Sequence, residues 1–116
     1  MAKTENYIPI ISRDVSKKLK TNDIYYIERV GRKLVFATEN EEYGMYEKIE
    51  RIEKYLGENF FHCLVGLIVN LDKIEKLENF KITFDNKKEI SLARDSYVKL
   101  KQIFNSYILK FRELYY

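Results

Sequence analysis

Arg29, Arg32 and Lys33 fall at or beside the tip of an expected hairpin. Arg94 stands near the start of a C-terminal helix, and His62 is the chain's single histidine. A guanidinium can fork onto O6 and N7 of guanine, an ammonium pairs with a phosphate, and an imidazole can meet either kind of group. Each residue also has a plainer reading. Exposed tips commonly carry charge for solubility. An arginine beside a carboxylate forms a surface pair of little energetic weight. A lone histidine is often only a surface or partly buried side chain.

Other chemistries find less support. The four glycines, at 31, 44, 57 and 66, are isolated, so no glycine-rich loop is present to cradle a phosphate. Cys63 would project from the strand face opposite His62, no His/Cys/carboxylate cluster has ligand spacing, and His62 lacks an obvious nucleophile. No enzymatic activity, cofactor, metal or small-molecule substrate is expected.

Net charge is +3 with a pI near 8.8, too small an excess to identify a nucleic-acid binder, so its distribution must decide. The longest apolar run, Cys63 to Val69, is too short to span a bilayer, and no charged leader precedes an apolar segment. The lone cysteine reads as a small core residue in a reducing compartment. A cytoplasmic protein with no membrane partner is expected. The start at Met1 and the absence of a tag suit a stand-alone protein.

At 116 residues and 14.0 kDa, with 46% hydrophobic and 34% charged residues, the chain is expected to form one domain over residues 1–116. Its 10 Tyr and 7 Phe lean toward β structure. Tyr7 to Ile11 reads as an opening strand, at an edge because Pro9 donates no ladder hydrogen bond. Ser12 to Lys20 is polar and basic and reads as a loop or one helical turn. Asp23–Arg29 and Lys33–Thr38 alternate around Val30-Gly31-Arg32 and predict a hairpin with Gly31 at positive φ. Met45, Ile49, Ile52 and Leu56 lie on one face of a helix, and Gly57 follows as a left-handed cap. Phe60 to Asn70 is strand-like with a break near Gly66, and Asn70 reads as a turn residue satisfying backbone groups.

Lys73–Leu77, Phe80–Phe84 and Glu89–Leu92 predict three more strands, with a tight turn at Asp85–Lys88. A second helix is expected from about residue 96, with Asp95 as a candidate N-cap. Its seam of Tyr97, Leu100, Phe104, Tyr107, Phe111 and Leu114 either covers an open sheet or forms a dimer contact.

The order Asp23-Ile-Tyr-Tyr-Ile-Glu28, a helix ending in Leu56, Phe60-Phe61, Val69-Asn70, Ile74, Asn86, Ile90 and Ala93-Arg94 resembles the LytTR-type DNA-binding domain of bacterial transcriptional regulators. The resemblance covers roughly Tyr7 to Leu100. It implies a mainly β (α+β) fold, an elongated antiparallel arrangement with one internal helix and a C-terminal amphipathic helix. It also implies that loops enter successive major grooves of double-stranded DNA, at promoter direct repeats. By position, the contacts fall on Arg32 and Lys33, on the segment His62 to Gly66, and on Arg94, with Arg29 beside the first.

The middle segment departs from the family pattern. A His and a polar residue are replaced by Leu64 and Val65, which cannot hydrogen-bond a base edge or a phosphate, although Val65 can touch a thymine methyl. Two functions follow as expectations: sequence-specific DNA binding by a regulator, or a protein-interaction module or regulator antagonist that has lost part of its DNA-contact surface.

Overall fold

The structure, a computed structural model, describes residues 6–113 and the side chains of 6–110. Antiparallel strands dominate, and two compact units divide between Asn70 and Leu71.

The first unit opens with β1 (Tyr7–Ile11) and β2 (Ser16–Lys20), a two-stranded hairpin, then a 3-10 turn at Thr21–Asp23. Next come β3 (Tyr26–Val30), β4 (Lys33–Ala37), β5 (Glu42–Tyr46), the one-turn helix α1 (Ile49–Ile52), which runs on as a 3-10 turn at Glu53–Tyr55, β6 (Phe60–Leu64) and β7 (Leu67–Asn70). The last five strands make one sheet in the order β5-β4-β3-β7-β6.

Alternation along these strands builds the core. Ile27, Leu34, Phe36, Met45 and Ile68 share one sheet face through the pairs Ile27↔Phe36, Leu34↔Met45 and Ile27↔Ile68. Ile8, Ile10 and Leu19 from the β1–β2 hairpin and Ile49 and Ile52 from α1 pack onto that cluster. Each fully buried isoleucine contributes roughly 2 kcal/mol of transfer free energy. Asn70, at the end of β7, is nearly inaccessible at 1% exposure. Its Nδ2 donates to the Ile24 carbonyl at 2.8 Å, its Oδ1 accepts from Asn59 Nδ2 at 2.9 Å, and its N–H donates to the Tyr25 carbonyl.

Four local expectations change. The lysine-rich segment expected as a loop is β2, because Leu19 is drawn into the core opposite Ile8 while its lysines stay in water. The helix begins at Ile49 rather than Met45. Met45 is buried from β5, where Glu42, Gly44 and Tyr46 alternate with Tyr43 and Met45. Gly57 is not left-handed. Leu56 ends the 3-10 turn in extended conformation, and a Cβ on Gly57 would stand 3.0 Å from Asn59 Oδ1, so close approach favours glycine there. Phe60–Asn70 is not one broken strand but a hairpin turning at Val65-Gly66.

The second unit carries a 3-10 turn at Leu71–Lys73 and then β8 (Ile74–Glu78), β9 (Lys81–Phe84) and β10 (Glu89–Ser91), a sheet ordered β10-β9-β8, followed by α2 (Arg94–Glu113). Asn79 and Phe80 both lie at positive φ, 54° and 62°, giving the twist that a two-residue hairpin needs. Asp85–Lys88 is the expected tight turn, closed by Lys87 N–H to the Phe84 carbonyl and Lys88 N–H to Asn86 Oδ1. Helix α2 starts at Arg94, so Asp95 lies inside its first turn rather than capping it.

The proposed seam on α2 divides. Tyr97, Leu100 and Phe104 are buried within the chain, as expected of a seam that covers apolar surface. Tyr107 donates its hydroxyl to Asp72, and Phe111 and Leu114 lie outside the described side chains. Among the described side chains of α2, the exposed large apolar ones are Val98, Ile103, Ile108 and Leu109. Among the described residues, no helix is long and apolar enough to cross a membrane.

Candidate nucleic-acid interface

Strands β3 and β4 close at the pair Val30↔Lys33, leaving Gly31-Arg32 as a two-residue tip. Gly31 has φ +65°, and a Cβ there would meet nothing within 4 Å, so the turn's conformation rather than space calls for glycine. Arg32 is exposed at the apex. Lys33 lies opposite Tyr46 of β5, its Nζ 5.4 Å from the ring centroid, and this contact restrains the ammonium without neutralising it.

The β6–β7 hairpin ends in a second tip. Leu64 pairs with Leu67 around Val65-Gly66, and the register shifts between His62 and Leu64. Gly66 takes φ +82°, and a Cβ on it would lie 3.4 Å from Arg29 Cβ and 3.9 Å from Arg29 Nε. The Arg29 N–H donates to the Gly66 carbonyl at 2.8 Å. Because β3 and β7 are antiparallel neighbours, with Glu28 opposite Leu67, this bond continues their ladder to the strand ends. Both tips therefore project from the same end of the five-stranded sheet, with Arg29 between them.

That end combines three cations with apolar surface. Val30 is 57% exposed, Tyr46 72%, Leu64 38% and Val65 82%. Among the described residues, no carboxylate forms an ion pair with Arg29, Arg32, Lys33 or Arg94. The plain reading of Arg94 as half of a surface pair thus finds no partner there. In the second unit, Arg94 begins α2 and borders a surface groove with Phe80, Tyr97 and Lys101.

His62 is placed differently from the other candidates. It sits on the body of the edge strand β6, opposite Ile68, with Nδ1 3.1 Å from Glu53 Oε2. That carboxylate occupies one ring nitrogen and draws the imidazole toward the 3-10 turn, away from the tip. Cys63 is buried, and desolvation pushes its thiol up to about 11, so it is an inert core group. No group of three or more His, Cys, Asp or Glu suited to a metal ion occurs among the described residues.

Two features of this end escaped the sequence. One is the adjacency of Arg29 and Gly66, which depends on β3 pairing with β7 across a long separation. The other is the exposure of Val30 and Tyr46. The signal available was a glycine directly following or preceding an apolar residue, at Val30-Gly31 and Val65-Gly66, which marks an apolar side chain held on a tight turn.

Comparison with known proteins agrees with this architecture. No curated protein matches the chain. A solved structure, the LytTr DNA-binding domain of a Bacillus cereus protein described as a methyl-accepting/DNA response regulator, superposes with a TM-score of 0.70 at 16% identity. The match covers 87% of this chain and 97% of that one, which shows a shared fold. The family model for the LytTr DNA-binding domain matches residues 14–105, and the chain therefore belongs to the LytTr DNA-binding domain family.

Proposed function

We propose that this protein is a transcriptional regulator that binds duplex DNA sequence-specifically through the two hairpin tips of its five-stranded sheet. The observation that carries this reading is the convergence of Arg29, Arg32 and Lys33 on one sheet end, without ion-paired carboxylates among the described residues. Arg32, at the apex, is the residue to fork onto a guanine, and Lys33 the residue to hold a phosphate. Arg94 adds a third contact by its position in the family pattern. His62 has the weaker role, since Glu53 already engages it. The activity needs no cofactor and no catalytic step. Partners in this reading are promoter sequences, arranged as direct repeats, with any homodimer formed by surfaces other than the buried half of α2.

The exposed apolar group Val30, Tyr46, Leu64 and Val65 favours a second reading, in which this sheet end docks a protein and the chain acts as an interaction module or antagonist. Selection from a randomised duplex library at two salt concentrations separates the two. A regulator enriches a motif, and its affinity falls steeply with salt. An interaction module enriches nothing at either salt.

A further inference from the structure

Val65 is the most exposed large apolar side chain described, at 82%, and it sits at the tip of the β6–β7 hairpin, between the paired Leu64 and Leu67. Several features make it a fixed knob rather than a loose end. The turn is held by Gly66 at φ +82° and by the Arg29 N–H to Gly66 carbonyl bond at 2.8 Å. A β-branched side chain is stiff at χ1. Leu64 and Val30 supply further apolar surface at the same sheet end, and the Arg29 side chain runs alongside Gly66. A rigid apolar knob set among cations is poorly suited to bulk water. It is well suited to a polyanion that presents one apolar feature among its polar edges, and the major groove presents such a feature only as the C5-methyl of thymine.

We infer that Val65 is a specificity-determining residue that reads a thymine methyl in the major groove, so that the second tip recognises a base by shape and apolar contact rather than by a hydrogen bond. The inference rests on the DNA-binding reading above. The cations at Arg29, Arg32 and Lys33 supply attraction to the backbone, and Val65 discriminates among bases at its own position.

The test uses the full chain and a duplex recovered from the randomised library. Each thymine is replaced in turn by deoxyuridine, which removes the methyl and leaves the Watson–Crick edge unchanged. At the thymine read by Val65, the wild-type affinity should fall about fourfold, the effect of one buried methyl-sized group. The Val65→Ser protein should bind the thymine and uracil duplexes equally. A C·G pair at that position should be bound more tightly by the wild type when the cytosine carries a 5-methyl group, and Val65→Ser should not distinguish the two. Because Val65 is exposed, thermal melting of Val65→Ser should match the wild type. Binding of the selected duplex with no uracil effect, or a uracil effect that persists in Val65→Ser, overturns the methyl-reading role and leaves DNA binding standing. Failure of the wild type to select any duplex overturns both.

Discussion

Replacing Asn70 with alanine should destabilise the first unit by at least about 3 kcal/mol. The change removes the side-chain bonds to Ile24 and Asn59, each with a net contribution of about 1 kcal/mol. It also leaves the carbonyl of the fully buried Ile24 without its side-chain donor, at a further cost of roughly 1–3 kcal/mol. Asn59→Ala breaks only the part-buried bond to Asn70 Oδ1 and should cost about 1 kcal/mol. Asn70→Asp keeps an acceptor for Asn59 but sets a carboxylate oxygen against the Ile24 carbonyl. At neutral pH it should be at least as damaging as alanine, and it should recover in part as acid protonates the carboxyl. Urea unfolding followed by circular dichroism measures all three. With a slope near 1–1.5 kcal/mol per molar, the Asn70→Ala midpoint should fall by at least about 2 M at unchanged slope. A loss within about 0.5 kcal/mol of the wild type, or one equal to that of Asn59→Ala, would refute the assignment of Asn70 as the clamp between β7 and the segment before β3.

Arg32→Ala should lower specific DNA affinity by roughly 1–3 kcal/mol and relax preference at one base pair, while Lys33→Ala should weaken all duplexes alike and reduce the salt slope by about one. Mobility-shift titrations at several salt concentrations check both, and unchanged binding by both variants contradicts the proposed interface. Gly66→Ala combines a left-handed conformation with a 3.4 Å approach to Arg29 Cβ, whereas Gly31→Ala meets open space. Thermal melting should therefore show the larger loss for Gly66→Ala, with about 1–2 kcal/mol from the left-handed residue common to both. Cys63, raised from 9.0 to about 11, should react with a thiol reagent at pH 8 about 100-fold more slowly than an ordinary cysteine, from its thiolate fraction alone, until urea exposes it.

The elements legible in the sequence were those whose pattern is local. The β3–β4 hairpin follows from alternation around Gly31, and β8 to β10 follow from alternation with an Asn-containing turn. Strand β2 was hidden because its sole deeply buried residue is Leu19, and one apolar position makes no period. Strand β5 was hidden because Met45 happens to lie four residues before Ile49, so a strand residue and a helix residue joined in a false helical register. The candidate site divides along the same line. Arg32 and Lys33 were found because tip position is local information. The meeting of Arg29 with Gly66 was not, because it rests on pairing between segments nearly 40 positions apart. His62 matched the family segment by position, but its engagement by Glu53 depends on where the 3-10 turn folds back beside β6.

The ladder bond between Arg29 and Gly66 makes the two tips parts of one rigid ruler. The midline of the β3–β4 hairpin and that of the β7–β6 hairpin lie two strand spacings apart, roughly 10 Å. Along a DNA strand that distance is about three base steps. Neither tip can shift toward the other without breaking sheet hydrogen bonds, so the unit carries a built-in stride. A recognised element should consist of two short blocks about three base pairs apart, and inserting a single pair between them should be as harmful as mutating a block.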